Sequence, residues 1–292
     1  MFKSDVSSRS YQFIVFTYPI RGLVALLTRL AGTLFFKKII LVFGMSRSGT
    51  SMLAEFMSIQ KSSVYIHEPD TDLMKYRFSL EGNTHFTQKQ YWDFVNSEEQ
   101  KEFKVHLLVC VTLLAILKSG FSVRTICIKP ISLLNVIEES SNTLKGAIIL
   151  YICRHPAGRS ESILRQLKHD QNIEGITNTD LEMLGREWGQ ANRHMQELFK
   201  RYPSWYWVVF EKLANDPIKE FKALYERFKL PWSNAIENEI QQKTTGEDGG
   251  FYEVKRNSRA QADKWRTALT EDQVQAIRKG CLPFETNLYE SF

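Results

Sequence analysis

Apolar runs alternate with amphipathic stretches along most of this chain. The first long run, at residues 38–43, has the length of a buried strand and is ended by Gly44. Similar runs predict four further strands, at 63–66, 124–129, 147–153 and 205–210. Helical spacing of apolar residues predicts helices at 51–59, 98–118, 158–167, 181–201 and 218–228. Strands that alternate with helices of this length predict an α/β fold with a central parallel sheet of about five strands, flanked by helices on both faces.

Three polar segments carry no such pattern: 70–96, 169–180 and 243–252. Long loops in an α/β domain are usually functional or mobile. Two interpretations stay open for each segment, namely a loop that covers substrate or nucleotide and a plain surface insertion.

The amino-terminal segment 13–36 is apolar but contains Pro19, Arg21 and Arg29. On a helix that starts at Ile20, one face collects the apolar residues Leu23, Val24, Leu27, Leu30, Ala31 and Leu34. The opposite face collects Arg21, Thr28 and Arg29. Two arginines argue against a membrane-spanning helix, and the stretch lacks the form of a signal peptide. Two placements stay open: a helix packed on the domain, and an amphipathic helix in a membrane interface. The expected division is an amphipathic segment at 1–36 and one domain at 37–292.

Composition narrows the class of protein. The 292 residues are 43% hydrophobic and 24% charged, which fits one large globular domain. A formal charge of +5 is compatible with an anionic ligand and does not require nucleic acid, so no nucleic-acid partner is expected. The four cysteines lack metal-ligand spacing and are expected to be buried in a reducing compartment: Cys110, Cys127, Cys153 and Cys281. We therefore expect a cytoplasmic protein, with peripheral contact to a membrane through residues 13–36 left open.

A candidate phosphate loop follows the first strand. It reads Gly44-Met45-Ser46-Arg47-Ser48-Gly49-Thr50-Ser51 and precedes a predicted helix. Glycines allow a tight turn, and successive backbone N–H groups form a nest for an anion. Nucleotide triphosphatases place a Lys where Thr50 stands, and this Lys reaches the outer phosphates. Here the cation of the loop is Arg47 instead, which argues against a kinase.

This loop resembles the 5′-phosphosulfate loop of the sulfotransferase family, a P-loop-like α/β fold. The resemblance implies 3′-phosphoadenosine 5′-phosphosulfate (PAPS) as the sulfuryl donor, with Arg47 at the 5′-phosphate and the bridging oxygen. The remaining donor-binding residues of the loop would be Ser46, Ser48, Gly49, Thr50 and Ser51.

A second motif stands at the end of another predicted strand. Cys153-Arg154-His155-Pro156, followed by Ser162, is similar to the motif with which the family binds the 3′-phosphate. An Arg fork and a Ser hydroxyl suit a dianionic phosphate. The resemblance therefore assigns Arg154 and Ser162 to that group.

Two carboxyl-terminal patches extend the resemblance. Phe210-Glu211-Lys212-Leu213 with Asp216-Pro217 resembles a family stretch in which Tyr is usual at the first position, so a hydroxyl contact from Phe210 is lost. Arg256, Ser258 and the segment 264–266 resemble the part that closes over the nucleotide in many members. The resemblance implies that Arg256 and Ser258 contact the donor.

The catalytic base is assigned by comparison within the family. Cytosolic members use a His two residues after a strand-end Lys, but here Ile131 follows Lys129-Pro130. Carbohydrate and tyrosylprotein sulfotransferases use a Glu after the strand that follows the phosphate loop, and Glu68 matches it. The resemblance makes Glu68 the general base, with Lys129 and Arg47 as cations near the bridging oxygen. His67 is the alternative base, although its side chain is expected to point to the opposite face of the strand.

Several alternatives stay open. The family needs no metal, and we expect none. A nucleotide-dependent kinase and a non-catalytic nucleotide-binding protein of the same fold are the rival functions. The acceptor is expected to carry a hydroxyl group, on a glycan, a lipid or a peptide tyrosine.

Overall fold

A computed structural model describes most of the chain. It covers residues 2–3, 8–35, 37–80, 93, 97–130, 134–171, 175–246, 254–284, 286 and 288–289. The chain forms two compact units. One comprises residues 1–44 and 51–150, and the other comprises residues 45–50 and 151–292.

Six strands form one sheet in the order β1-β3-β4-β2-β5-β6. Their bounds are β1 Phe2–Lys3, β2 Lys38–Gly44, β3 Ser63–His67, β4 Thr125–Lys129, β5 Ile148–Cys153 and β6 Tyr206–Val209. The pairs β1–β3, β3–β4 and β2–β4 are parallel. The five longer strands lie where the apolar runs predict them, and the predicted α/β fold with a central parallel sheet flanked by helices is confirmed.

The helices occupy most of the remaining described residues. In the first half they are α1 Ser8–Thr17, α2 Arg21–Leu34, α3 Thr50–Phe56, α4 Pro69–Leu80, α5 Lys101–Ser119 and α6 Ile137–Thr143. In the second half they are α7 Pro156–Gln171, α8 Asn178–Arg201, α9 Phe210–Asn215, α10 Pro217–Arg227, α11 Asn234–Thr245, α12 Ser258–Asp263, α13 Trp265–Ala268 and α14 Glu271–Cys281. Short 3₁₀ turns lie at Tyr18–Ile20, Leu134–Val136 and Leu282–Phe284.

The first unit is built around α5, whose middle, residues 105–116, is mostly apolar and buried. Both amino-terminal helices pack against α5, with Ile14 fully buried and Val24 nearly so. His106 of α5 is buried, and its Nε2 lies 3.0 Å from the carbonyl oxygen of Ile14 and 3.1 Å from Thr17 Oγ1. The amino-terminal segment therefore packs on the folded part of this unit.

The inward face of α2 differs from the predicted apolar face. Val24, Ala25, Thr28 and Gly32 are its buried residues, whereas the leucines of the predicted face are exposed. Thr28, expected on the polar face, is fully buried, and its hydroxyl is satisfied there by donating to the carbonyl of Val24 at 2.8 Å. Small side chains let α2 lie close to α5, and the larger leucines are left outside.

The second unit rests on a close crossing of α8 and α14. A Cβ on Gly185 would lie 2.1 Å from the carbonyl oxygen of Ile277, and one on Gly280 would lie 2.0 Å from that of Glu182. Only glycine allows two helix backbones to approach this closely. The crossing fixes α8, and Trp188 of α8 donates from Nε1 to the carbonyl oxygen of Arg154 at 2.8 Å. The helix packing thereby fixes the end of β5.

Three segments predicted as loops are partly helical, so that prediction is wrong for part of each. Residues 69–80 form α4, which starts because the Glu68 carbonyl accepts from the N–H groups of Thr71 and Asp72. Helix α7 continues to Gln171, and α8 begins at Asn178 with Thr177 as its capping residue. Helix α11 continues to Thr245. The parts of these segments at 81–92, 94–96, 172–174 and 247–252 lie outside the described residues.

All four cysteines are buried and free, as expected. Burial raises the pKa of the Cys110 thiol to about 11 and that of Cys281 to about 12. Neither thiol is therefore ionised at neutral pH, which suits a packing role.

Candidate active site

The phosphate loop has the backbone of an anion nest. Arg47 and Gly49 both have positive φ, at 66° and 92°, and Ser48 lies between them. The Ser48 N–H donates to the Met45 carbonyl at 3.2 Å, which closes a tight turn. A left-handed residue costs energy for any side chain but glycine, so Arg47 is held there by its surroundings. Such alternation turns neighbouring N–H groups toward one side, where they can bind an anion.

The aromatic ring of Phe210 supports this turn. A Cβ on Gly49 would lie 2.4 Å from Phe210 Cδ2, so the loop accepts only glycine at this position. The same ring stacks under the Arg154 guanidinium, whose Cζ is 4.5 Å from the ring centroid. Phe210 carries no hydroxyl, and its ring packs against the loop and the guanidinium.

Arg154 and Ser162 both contact Arg47, so residues of the two motifs meet in the second unit. Arg47 Nε donates to Ser162 Oγ at 2.9 Å, and the Arg154 guanidinium donates to the Arg47 carbonyl at 3.2 Å. A second bond from Arg154 goes to the carbonyl of Gln261 at 2.7 Å. Arg47 is therefore brought together in the second unit with Arg154 and Ser162, which follow it by 107 and 115 residues.

Arg154 is a buried cation with an unused hydrogen-bond donor. It is 5% exposed, and its Nε has no hydrogen-bond partner in the described part of the chain. Burial lowers the pKa of the guanidinium to about 10, although the carboxylates of Glu211 and Glu161 oppose that shift. An anion beside Arg154 would satisfy the buried Nε and restore the lost stabilisation of the charge.

Arg159 is a loop contact that the motifs do not include. Its Nε donates to the Ser46 carbonyl at 3.2 Å, and its side chain is almost fully buried next to Glu187. Arg159 and Ser162 are three residues apart on α7 and so share one helix face. That spacing is the signal by which the sequence could have identified Arg159.

The carboxyl-terminal patch packs beside the end of β5. The Trp265 ring stacks on the His155 ring with centroids 4.5 Å apart and planes within 6°. The Ser258 hydroxyl is buried and donates to the Ala214 carbonyl at 2.8 Å. The Arg256 N–H donates to the Lys243 carbonyl at 2.9 Å. Ser258 thus ties the start of α12 to α9, and donor contacts from Ser258 and Arg256 stay predictions.

The remaining loop residues are placed as follows. Ser46 offers its carbonyl to Arg159, Ser48 and Thr50 are buried, and α3 begins at Thr50 with Ser51 as its second residue. Their contacts to a donor stay predictions.

Glu68 and Lys129 form an ion pair in the first unit. Lys129 Nζ donates to Glu68 Oε1, and the backbone N–H of Glu68 donates to the Lys129 carbonyl at 2.8 Å. The Lys129 side chain is 4% exposed, whereas that of Glu68 is 23% exposed. The carboxylate therefore has a buried cation on one side and remains accessible. The predicted proximity of Glu68 to Arg47 stays a prediction.

The backbone fixes the orientation of Glu68. Its φ is 47°, a left-handed value that is strained for a side chain of this kind. The flanking elements maintain this strained conformation, because β3 pairs with β4 up to the register His67–Lys129 and α4 begins immediately afterwards. Strained residues of this kind cluster at functional sites.

His67 lies beside the carboxylate, with Nε2 3.4 Å from Glu68 Oε1. The expectation that its side chain points away is wrong because Glu68 lies past the strand end, where the alternation of side chains no longer applies. The order of the two as candidate bases stays a prediction.

No group of three or more His, Cys, Asp or Glu residues is arranged to hold a metal ion within the described ranges.

Comparison with known proteins now decides the family. The model of the sulfotransferase family matches residues 40–234, which is more than half of the chain. The chain belongs to the sulfotransferase family. This sulfotransferase is 28% identical to human carbohydrate sulfotransferase 3 over 121 residues, covering 39% of this chain and 25% of the human protein. It is 34% identical to mouse carbohydrate sulfotransferase 1 over 87 residues, covering 27% of this chain and 21% of the mouse protein. The aligned part thus spans about a quarter of these relatives.

Solved structures agree on the fold of this sulfotransferase. The sulfotransferase domain of the Synechococcus PCC 7002 olefin synthase superposes with a TM-score of 0.51 at 15% identity, covering 83% of this chain and 94% of that domain. Mouse SULT7A1, solved in complex with PAP, has a TM-score of 0.51 at 13% identity, covering 89% of this chain and 90% of that one.

Proposed function

We propose that this sulfotransferase moves a sulfuryl group from PAPS to the hydroxyl group of a glycan. The observation that carries the proposal is the convergence of Arg154 and Ser162 on Arg47 in a chain of this family. Two arginines and a hydroxyl around one loop suit a ligand with two phosphate groups.

The residues of the second unit fit such a donor. The buried Arg154 Nε lacks a partner in the described chain, and a 3′-phosphate would supply one. The nest at Arg47–Gly49 would hold the 5′-phosphate through its N–H groups. When bound, the donor supplies a sulfuryl group linked to a phosphate oxygen that is a good leaving group.

Glu68 would act as the general base. Both of its described side-chain contacts, to Lys129 and to His67, go to Oε1, so we assign proton transfer to Oε2. Glu68 takes the proton of the acceptor hydroxyl while the new bond between that oxygen and sulfur forms. The bond between sulfur and the bridging oxygen breaks, and its electron pair stays on the departing adenosine 3′,5′-bisphosphate. Arg47 and Lys129 are the cations assigned to the charge that builds on that oxygen.

The acceptor class rests on the named relatives. Both are carbohydrate sulfotransferases, and the expected Glu base is the type assigned to that branch. A lipid-linked alcohol and a peptide tyrosine are the competing acceptors. A panel of glycans, lipid-linked sugars and tyrosine peptides, incubated with radiolabelled PAPS, would separate them. We expect label in the glycans.

Donor binding is tested by calorimetry with adenosine 3′,5′-bisphosphate and, in parallel, with ATP. We expect the bisphosphate to bind at least about tenfold more tightly, because Arg154 and Ser162 have no 3′-phosphate to bind in ATP. Equal binding, or tighter binding of ATP, would contradict the donor assignment and favour a kinase. Tight bisphosphate binding without transfer to any acceptor would favour a non-catalytic protein.

A further inference from the structure

The amino-terminal helices expose a continuous row of large apolar side chains. We call this row the outer apolar face, and it comprises Val15, Phe16, Ile20, Leu23, Leu26, Leu27, Leu30 and Leu34. Each is at least 45% exposed, and Phe16 reaches 81%. Isolated exposed leucines are ordinary, but a contiguous apolar patch of this extent on a protein surface marks a binding surface.

The spacing places the leucines of α2 on one side of the helix. Leu23, Leu26, Leu27, Leu30 and Leu34 follow the helical repeat of three and four residues. The opposite side of α2 already packs against α5, since a Cβ on Gly32 would lie 3.9 Å from Ile116 Cδ1 of that helix. The outer apolar face is therefore not needed to hold the helix on the unit.

The apolar surface continues onto the end of α5. Leu117 is 57% exposed and Phe121 is 63% exposed, and the Phe121 ring contacts the Phe35 ring with centroids 4.7 Å apart. Helices α1 and α2 and the end of α5 all lie in the first unit and contribute to it.

Cations predominate around this surface, and the described acidic contact to its arginines is the ion pair of Arg21 with Glu102 of α5 at 2.6 Å. The sequence from Val6 to Ala54 contains no Asp or Glu, and it contains Arg9, Arg21 and Arg29. Lys118 and Arg124 flank Phe121 in the sequence and are exposed. An apolar face bordered by cations is complementary to a bilayer that carries anionic head groups.

We propose that the outer apolar face docks this protein, lying flat, in the interface of an anionic lipid bilayer. By length and composition Arg9–Leu34 could also cross a membrane. However, the 3₁₀ turn at Tyr18–Ile20 divides the segment, and Ile14 and Val24 are buried on the inner side. A spanning helix would have to withdraw those side chains, whereas an interfacial helix keeps them packed and buries only the outer side.

A second copy of the chain is the other candidate occupant. Arg21 is paired with Glu102 of its own chain, but a symmetric contact through this face would still bring the other cations of both copies together. Anionic lipid relieves that repulsion, so the bilayer fits the charge pattern better. The proposal is independent of the donor and acceptor assigned above.

The test is flotation of the full chain with vesicles of phosphatidylcholine, with and without phosphatidylglycerol. We expect binding to the anionic vesicles that weakens at high salt. The double variant Leu27→Glu/Leu30→Glu should bind at least about tenfold more weakly, because two charges would enter the apolar layer. Both positions are exposed, so the thermal unfolding temperature should not change. Deleting the segment is a poorer test because it would also remove the buried Ile14 and Val24.

Met183→Glu is the matched control. Met183 is 56% exposed on α8 and lies outside the amino-terminal segment, so this variant should float like the wild type. Failure of the wild type to bind either vesicle overturns the proposal. So does a double variant that binds as well as the wild type. Retention on vesicles at high salt until detergent is added would indicate a spanning helix instead. A dimer that the double variant converts to a monomer, without vesicle binding, would identify a second copy as the occupant.

Discussion

At the scale of single residues, Arg154 holds the backbone of the phosphate loop and keeps its Nε–H group available for a hydrogen bond to a ligand. Its guanidinium binds the carbonyls of Arg47 and Gln261 and stacks on Phe210, while Nε stays unpartnered in the described chain. Because Arg154 positions the loop and is proposed to bind the 3′-phosphate, its removal is expected to have a large effect on donor binding.

The first prediction concerns this residue. Arg154→Ala should weaken binding of adenosine 3′,5′-bisphosphate by about 2–5 kcal/mol, the range typical for truncating one partner of a buried charge pair. Isothermal titration calorimetry measures this loss of affinity. Arg186→Ala, an exposed arginine of α8, is the control and should bind normally. An Arg154→Ala protein that is folded and keeps its affinity would contradict the 3′-phosphate assignment.

Ser162 offers a milder test in the same site. Its hydroxyl accepts from Arg47 Nε at 2.9 Å, so Ser162→Ala leaves that donor without its partner. We expect a loss of roughly 1–3 kcal/mol in bisphosphate binding. Calorimetry should find Thr267→Ala, which removes an exposed hydroxyl on α13, unchanged. If Ser162→Ala also binds unchanged, Arg47 is oriented by the loop alone.

At the scale of elements, the crossing of α8 and α14 supports the end of β5 that carries Arg154. Gly280→Ala would place a methyl group 2.0 Å from the Glu182 carbonyl oxygen, so the helices must separate. Overpacking of this kind costs about 1–3 kcal/mol and sometimes more. The unfolding temperature should fall by roughly 2–4 °C for each kcal/mol. Gly175→Ala has open space and should be neutral by the same thermal scan. An unchanged Gly280→Ala protein would contradict the packing described.

The strands could be predicted from the sequence because buried parallel strands are apolar throughout. The loop between β2 and α3 could be predicted because it carries a recognisable motif of glycines and small polar residues. The segment 234–281 could not be predicted in the same way. Its helices α12 and α13 have only six and four residues, too few for a periodic pattern. The exposure of Leu27 and Leu30 could not be predicted either, since apolar periodicity normally marks the buried side of a helix.

Arg47, Arg154 and Ser162 could be named as candidate site residues from the sequence because each belongs to a motif. Arg159 was missed because it contacts a backbone carbonyl and belongs to no motif, so that its spacing of three residues from Ser162 is its one mark in the sequence. The left-handed backbone of Glu68 likewise depends on the junction of β3 with α4 and not on local sequence.

For the molecule as a whole, the family model establishes a sulfotransferase, and the named relatives favour a glycan acceptor. The family model covers residues 40–234, and the outer apolar face lies before that range. A membrane surface would bring the protein to acceptors held at a lipid bilayer. Vesicle binding and acceptor choice can therefore be measured separately and then compared.

We propose that the protein transfers a sulfuryl group from PAPS with Glu68 as the base. The most direct measurement is the initial rate of transfer of radiolabelled sulfate to the best acceptor of the panel, for the wild type, Glu68→Gln and His67→Ala. Glu68→Gln keeps the shape of the side chain but removes its basicity, so turnover should fall by roughly 10²–10⁴-fold while bisphosphate binding is unchanged. His67→Ala should lose much less. Normal turnover by Glu68→Gln together with an inactive His67→Ala protein would contradict the account and make His67 the base.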